Sequence, residues 1–411
     1  MKDKYEVVIA CGGLGTRLRE ITNNVPKPLY PINGKSTIER CIEEISRTDI
    51  NNVLITLGYK NNAFSELISQ LSKKYKIKID IFVEKLPLGE CGALWLIKEQ
   101  LTSNFIFING DLIFSIDFDR LIYFHRRLSS KLTLVTHTSD HPSDSDLISA
   151  SNGVLIDEII LKDNAKKRNA YLGNSGISVI NKCLLDIIDM PKNNKANSVF
   201  HHIVRNVFDM NINIYSYNTT EYIKDMGTPN RLKNVQEDLF LKKVNERNYK
   251  NKQKALFLDR DNTLIQCKIG DYILNEDEIK FIDTNIDRIS IISKKYDLVC
   301  IVTNQPSIAR GELNIKELDN INSIVVKYCH SRGLKIDVVS YCPHHPHKGF
   351  EKEVSVLKKD CFCRKPNPGL ILEQAFIRNI NLNKSLMIGD SENDQLAASN
   401  AGCEFRNVDI L

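Results

Sequence analysis

Two acids, two residues apart, close an apolar run in Phe257-Leu258-Asp259-Arg260-Asp261-Asn262-Thr263-Leu264. A carboxylate at the carboxyl end of a buried strand stands where open α/β sheets bind their ligands, so Asp259 and Asp261 are candidates for catalysis. Far upstream, Cys11-Gly12-Gly13-Leu14-Gly15-Thr16-Arg17-Leu18 follows another apolar run, and Pro26-Lys27-Pro28-Leu29 comes soon after. Glycines there let backbone N–H groups approach phosphate oxygens closely. No glycine at Leu18 completes a dinucleotide fingerprint, and no Gly-Lys-Ser/Thr closes a Walker loop. Arg17 and Lys27 could instead neutralise a triphosphate from two sides. Asp111, at the end of a further buried-looking strand, is a metal-ligand candidate. Cys342-Pro343-His344 with Cys361-Phe362-Cys363 supplies three thiolates and one imidazole, a set suited to structural Zn²⁺. His345 and His347 are alternatives for the imidazole.

These residues need strands that end on turns, and the apolar pattern supplies them. Strands are predicted at Asn52–Leu57, Ile77–Val83, Asn104–Asn109 and Leu132–Thr136, with helices at Ser36–Arg47, Ala63–Lys74 and Cys91–Leu101. A second series has strands at Ala255–Leu258, Leu298–Thr303, Ile336–Tyr341 and Ser385–Ile388, and helices at Asn285–Lys295, Ile315–Cys329 and Asn367–Ile377. Alternating strands and helices imply an α/β fold, with mainly parallel sheets flanked by helices. Between the two series, Arg231–Lys254 begins as an amphipathic helix and ends in the basic, Asn-rich stretch Asn245–Lys254, which reads as a solvated linker. The expected domains are therefore residues 1–247 and 248–411.

Length agrees with that division. The chain has 411 residues, and single cores stop growing at about 250–300. With 42% hydrophobic and 26% charged residues, the composition excludes wholesale disorder, collagen and coiled coil. No apolar run approaches the roughly 20 residues of a membrane span, and Glu6 interrupts the short N-terminal apolar stretch, so neither a secretory signal nor a membrane partner is expected. The eleven cysteines are an odd number in a long chain, which fits reduced thiols in the cytoplasm or metal ligands better than a disulfide framework. A net charge of +5 permits anionic substrates but is far from the basic stripe of a nucleic-acid binder. Nothing in the sequence fixes an oligomeric state.

The first half resembles the sugar-1-phosphate nucleotidylyltransferases. The glycine loop and Pro26-Lys27-Pro28-Leu29 match that family's signature, and further matches follow in order. They are Glu84-x-x-Pro87-Leu88-Gly89, Asn109-Gly110-Asp111, Asn174-Ser175-Gly176-Ile177 and Lys224-Asp225-Met226-Gly227-Thr228-Pro229. The resemblance implies a Rossmann-like domain in which a sugar phosphate oxygen attacks the α-phosphorus of a nucleoside triphosphate and pyrophosphate leaves. It places Gly12, Gly13, Gly15 and Thr16 on the nucleotide, Glu84 and Gly89 at the base, and Asn174 and Gly176 at the sugar. Lys162 would bind the sugar's phosphate, Arg17 and Lys27 would be catalytic cations, and Asp111 and Asp225 would hold Mg²⁺. Leu161 stands where the family usually has Glu, and Glu90 where it usually has Thr or a small residue.

The second half resembles the haloacid dehalogenase superfamily. Asp259-x-Asp261-x-Thr263, Val302-Thr303-Asn304-Gln305, Arg364-Lys365-Pro366 and Gly389-Asp390-Ser391-x-x-Asp394 match its four motifs in order. The resemblance implies that Asp259 is the nucleophile and Asp261 the general acid and base. Thr303 and Lys365 would stabilise the transferring oxygens, with Asn304 beside the substrate. Asp259, Asp390 and the backbone carbonyl of Asp261 would hold Mg²⁺. The zinc loop is similar to that of the D-glycero-D-manno-heptose 1,7-bisphosphate phosphatases, which favours His344 as its imidazole and makes Arg310 and Arg364 candidates for a second phosphate.

Joined, the resemblances imply a bifunctional enzyme making GDP-D-glycero-D-manno-heptose. The phosphatase would release heptose 1-phosphate, and a guanylyltransferase would transfer GMP from GTP to it. Two alternatives are the same activities on other sugar phosphates, nucleotides or a histidinol-phosphate-like monoester, and a chain in which one half only binds.

Overall fold

The computed structural model describes residues 5–12, 22, 25–58, 62–85, 88–139, 145–151, 154–161, 172–191, 198–268 and 271–411. The chain forms two compact units, one of Met1–Thr136, Ser149–Ile159 and Asn174–Asn248, the other of His137–Ile148, Ile160–Gly173 and Tyr249–Leu411. Both are α/β.

The larger sheet contains β1 (Glu6–Cys11), β2 (Asn52–Leu57), β3 (Lys78–Val83), β4 (Asn104–Asn109), β6 (Leu132–Thr138), β7 (Leu147–Ser151), β8 (Leu155–Ile160), β9 (Leu172–Asn181) and β10 (Ile214–Asn218). Their order is β3-β2-β1-β4-β9-β6-β10-β8-β7. β1 runs parallel to both β2 and β4, and β2 runs parallel to β3. The chain moves outward from β1 to β3 and then returns to β4 on the other side, which makes a switch point at β1 and β4. Beyond β4 the sheet is mixed, because β9 runs antiparallel with Ile177 opposite Ile108. Helix α1 (Thr37–Ile45) buries Ile38, Cys41, Ile42 and Ile45 against Val7, Ile9, Val53 and Ile55. That i, i+3, i+4, i+7 stripe is what a helix needs to cover a sheet. Ser36 caps it by accepting the Glu39 N–H. Two short strands, β5 (Leu112–Ser115) and β11 (Tyr222–Asp225), pair antiparallel apart from the main sheet.

The second sheet contains β12 (Ala255–Leu258), β13 (Leu298–Asn304), β14 (Val338–Cys342), β15 (Leu386–Gly389) and β16 (Glu404–Asn407), all parallel in the order β14-β13-β12-β15-β16. Residues alternate between two cores, Leu256, Leu258, Val299 and Ile301 in one and Ala255, Phe257, Cys300 and Val302 in the other. Burial on both faces explains the unbroken apolar runs. The longer helices that follow α1 in the chain are α2 (Asn62–Tyr75), α3 (Phe118–Arg127), α4 (Pro229–Phe240), α5 (Asp283–Ser293), α6 (Ile315–Ser331), α7 (Gly369–Ile377) and α8 (Glu392–Ala401), of which α6 and α8 begin at capping boxes, Asn314 with Glu317 and Ser391 with Asp394.

Three expectations need correction. Residues 245–254 are not a solvated linker. Asn248, Tyr249 and Gln253 are buried, Asn248 Nδ2 donates to Ser115 Oγ, and Asn379 Nδ2 donates to the Tyr249 carbonyl. The helix expected over Cys91–Leu101 covers only Ala93–Ile97 before a tighter turn at Lys98–Gln100. Gly92 lies so close to Leu88 that a Cβ would sit 2.4 Å from its carbonyl oxygen, so this segment serves a turn. The helix expected from Asn367 starts at Gly369, because the Asn367 and Gly369 N–H groups close the preceding loop on Arg364 and Phe362.

His125 is 2% exposed, with Nδ1 2.8 Å from Thr133 Oγ1 and Nε2 3.2 Å from Asn104 Oδ1. Burial, aided by Arg126, lowers its pKa from 6.5 to about 4. The unfolded chain therefore binds a proton there more readily, and stability is lost as pH falls from about 6.5 towards 4, by up to about 3 kcal/mol. Thermal melts in that window should show a steeper pH dependence for the wild type than for His125→Gln. Equal slopes would refute this assignment.

Candidate functional site

Both units bring acids to the carboxyl ends of their strands. In the second, β12 delivers Asp259, the turn after β15 delivers Asp390, and the first turn of α8 delivers Asp394. One oxygen from each of these three lies within 4.8 Å of the others. Gly389 makes this possible, since a Cβ there would stand 2.5 Å from Asp394 Oδ2. Lys365 Nζ donates to Asp259 Oδ1 at 2.6 Å and to Asp394 Oδ1 at 2.5 Å. The other Asp394 oxygen accepts from Ser391 N at 3.1 Å and Ser391 Oγ at 2.6 Å. Burial, opposed by Lys365 and reinforced by Asp394 and Asp261, raises the Asp259 pKa to about 7. Burial also works against the Lys365 charge, but Asp259 and Asp394 outweigh it and hold the ammonium above its ordinary pKa. Asp390 is raised by burial and then by Asp394. Crowded carboxylates of this kind fit a hard divalent cation.

The neighbouring motif residues hold this cluster in place. Asn304 accepts the Lys365 N–H and donates to the Lys365 carbonyl, both at 3.0 Å. Thr303 Oγ1 accepts from Gln305 Nε2 at 3.1 Å, and the same nitrogen donates to Asp261 Oδ2 at 3.0 Å. Neither Gln305 nor Arg260, which also binds Asp261, stood out in the sequence as a site residue.

The Cys/His set converges. Cys342 Sγ lies 3.4 Å from Cys361 Sγ and 3.3 Å from Cys363 Sγ, and Cys363 Sγ is 3.3 Å from Cys361 Sγ. His344 Nδ1 is 3.3 Å from Cys363 Sγ and 3.6 Å from Cys342 Sγ. Tetrahedral bonds of about 2.3 Å to sulfur give edges of about 3.7 Å, close to these separations. His345 points elsewhere, with Nε2 3.3 Å from Arg310 Nη2 and Nδ1 accompanied by the His347 carbonyl at 3.1 Å. The Arg310 guanidinium lies over the rings of Tyr272 and Phe350, at 5.0 and 4.8 Å from their centroids. Lys358 Nζ lies 4.5 Å over the same Phe350 ring, a cation with no signal in the sequence. Arg364 donates to the His344 carbonyl at 3.3 Å.

In the first unit, Gly12 and Gly110 occupy the ends of β1 and β4. A Cβ on Gly110 would lie 2.5 Å from Cys11 Sγ, and one on Gly12 would lie 3.4 Å from Glu84 Oε1. The β5–β11 ladder sets Asp225 opposite Leu112, and the Met226 N–H donates to the Asp111 carbonyl at 3.3 Å. Asp111 and Asp225 are thereby brought together. Burial raises the Asp111 pKa, Lys27 opposes this, and Asp225 adds to it. Lys27 Nζ is 3.7 Å from Asp111 Oδ2. Asp225 is held by Arg231 Nη1, at 2.9 and 2.8 Å from its two oxygens, and by the Gly227 N–H at 2.8 Å. Glu84 Oε2 accepts the Leu88 N–H at 3.1 Å, while its buried Oε1 has no hydrogen-bond partner among the described residues. Gly89 and Gly176 have φ of 75° and 81°, and a Cβ on Gly176 would meet Asn109 Nδ2 at 2.9 Å. Asn174 lies two residues before it in β9. Glu90 accepts the Val199 N–H at 3.2 Å, and burial raises its pKa to about 7. Gly13, Gly15, Thr16, Arg17 and Lys162 lie outside the described residues.

Residues 6–241 match a family model described as nucleotidyl transferase, and residues 362–409 match one described as HAD-hydrolase-like. The mannose-1-phosphate guanyltransferases of Yarrowia lipolytica and Saccharomyces cerevisiae are 28% and 29% identical over 226 and 227 residues, 54% of this chain in each case. Those stretches are 60% and 61% of the two relatives, so the chain spans about 60% of the length of these curated relatives. A structure of UDP-glucose pyrophosphorylase complexed with UDP-glucose is similar in fold, with a TM-score of 0.50, 16% identity, and coverage of 58% of this chain and 99% of that one. On the match over residues 6–241, the chain belongs to the nucleotidyl transferase family, with a HAD-like domain following in the same chain.

Proposed function

We propose that residues 1–247 are a sugar-1-phosphate guanylyltransferase and residues 248–411 a phosphatase that prepares its substrate. The observation that carries this reading is the presence of two acid clusters in one chain, each at the carboxyl ends of an α/β sheet. Asp259, Asp390 and Asp394 form one, beside Lys365. Asp111 and Asp225 form the other, beside Lys27.

In the phosphatase half, an Asp259 oxygen attacks phosphorus while the ester oxygen leaves with a proton from Asp261. Water then attacks the aspartyl-phosphate, Asp261 takes back a proton, and phosphate departs. Lys365 and Thr303 stabilise charge on the phosphoryl oxygens, and Arg310 and Arg364 serve a second phosphate. Asp259, Asp390 and the Asp261 carbonyl would hold Mg²⁺, which offsets the repulsion between a carboxylate and a phosphate. Cys342, His344, Cys361 and Cys363 would hold Zn²⁺ as a structural staple.

In the transferase half, Asp111 and Asp225 would hold Mg²⁺, which neutralises the triphosphate. Lys27 and Arg17 add positive charge, and Gly12 admits the nucleotide close to β1. The guanyltransferase relatives support GTP as donor, and the phosphatase partner supports heptose 1-phosphate as acceptor. The complete reaction is conversion of D-glycero-D-manno-heptose 1,7-bisphosphate, with GTP, into GDP-heptose, phosphate and pyrophosphate. We place it in the cytoplasm; no helix among the described residues is long and apolar enough to cross a membrane. A second reading keeps both activities and takes mannose 1-phosphate as acceptor, which the names of the relatives favour.

Purified protein given the heptose bisphosphate, GTP and Mg²⁺ should release phosphate and form GDP-heptose. Asp259→Asn should cut phosphate release by roughly 10³-fold or more while sparing transfer to supplied heptose 1-phosphate, and Asp111→Ala should do the reverse. Loss of both activities in either variant, with the fold intact, would contradict two separate sites. Elemental analysis should find about one zinc per chain. Cys361→Ser should lose that zinc and lower Tm by about 5 °C, equivalent to roughly 2 kcal/mol in a domain of this size. A metal-free wild type with the same Tm would rule the staple out.

A further inference from the structure

Arg260 is the bulkiest side chain among the fully buried residues described, at 0% exposure, and it stands between the two acids of the phosphatase half. Its Nε donates to Asp261 Oδ1 at 2.8 Å and its Nη2 to Asp261 Oδ2 at 3.2 Å. Its Nη1 reaches α6 and donates to the buried Asn322 Oδ1 at 2.8 Å. Gln305 Nε2 approaches the same Asp261 Oδ2 at 3.0 Å. A carboxylate has about four lone-pair sites. Two on Oδ2 and one on Oδ1 are therefore taken, and among the described residues none occupies the second site on Oδ1, which is left to carry a proton. The planar guanidinium fork cannot turn while Asn322 holds its far end.

We propose that Arg260, braced by Asn322, is a positioning residue that aims the free Oδ1 lone pair of Asp261 at the leaving oxygen. The inference rests on the phosphatase reading of residues 248–411. In the first step the Asp259 oxygen–phosphorus bond forms, the ester oxygen–phosphorus bond breaks, and the leaving oxygen takes the proton from Asp261 Oδ1. In the second, a water oxygen–phosphorus bond forms as the Asp259–phosphorus bond breaks, and the water proton goes to the same Oδ1. Arg260 keeps all its protons throughout. An alkoxide needs that proton in order to leave, whereas a dinitrophenolate leaves without it.

The readout is kcat/KM, which covers steps up to the first phosphoryl transfer, on the heptose bisphosphate and on 2,4-dinitrophenyl phosphate. Arg260→Gln should lower the value for the sugar ester by about 100-fold or more and leave the dinitrophenyl ester within about tenfold, the range general acid catalysis supplies. Asn322→Leu removes only the brace and should shift the same ratio in the same direction by a smaller factor; it decides the matter if Arg260→Gln does not fold. Equal slowing of both esters, or of neither, would overturn the positioning role. Hydrolysis of neither ester by the wild type, or wild-type rates in Asp259→Asn, would instead sink the phosphatase reading itself.

Discussion

The Lys365 side chain is 4% exposed, yet its ammonium lies 2.6 Å from Asp259 and 2.5 Å from Asp394. Taking such an ion out of water costs several kcal/mol, and only close, well-directed opposite charges offset it. Two carboxylates do so here, and each brings a requirement of its own. Asp394 has a second oxygen to satisfy, and Ser391 supplies both a backbone and a hydroxyl donor. That pair also starts α8, so the first turn of the helix and the charge balance of the site are one structure. The backbone N–H of Asp259 donates to the Ile388 carbonyl at 3.0 Å, which ties the position of Asp259 to β15. Removing one member would leave another charge buried and unpaired, a larger loss than the pair's own net contribution.

The first unit solves a similar problem with less burial of cations. Its two acids arrive from segments more than a hundred residues apart, and the β5–β11 ladder is what joins them. Arg231, one turn into the helix after β11, grips Asp225 through both oxygens. Among the described residues, Lys27 at 3.7 Å is the cation that faces Asp111, and burial keeps the Asp111 pKa raised. A cation binding between the two acids would therefore be drawn by the less compensated one. Glycines at 110 and 176 permit this crowding, because a Cβ at either place would collide with a neighbour.

The strands and the acids they deliver were legible because apolar runs and turn chemistry are local signals. Asp259 is the example: four buried residues, then a carboxylate, on the central strand of a parallel sheet. The antiparallel insertion of β9 between β4 and β6 was not legible, since pairing across such a sequence distance leaves no trace in periodicity. The stretch 245–254 misled for another reason. Composition counts its lysines and asparagines as solvated, but Asn248 spends its amide on Ser115 and Gln253 is wholly buried. Arg260 escaped notice because the x of an Asp-x-Asp pattern has no expected role. Only its burial beside Asn322, a residue on the buried side of α6, shows that its charge is used inside the protein.

The loop from Cys342 to Cys363 leads directly to Lys365 with little apolar packing to hold it. Val354, Val356 and Phe362 face water at 37%, 76% and 63% exposure, and Phe350 and Leu357 are only half-buried. Burial of such groups cannot order a segment of this length against its conformational entropy. The sulfur and imidazole atoms nevertheless meet within 3.3–3.6 Å, and the Arg364 side chain returns to the His344 carbonyl. Cross-linking of these four donors by a coordinated ion would supply an interaction strong enough to order the segment. Asn304 then takes both the N–H and the carbonyl of Lys365, fixing the next peptide to β13. The lysine is thus positioned from two directions, by the loop before it and by the sheet beneath it. The ion pair with Asp259 and Asp394 needs both, because a buried charge gains nothing from a partner that it meets only part of the time.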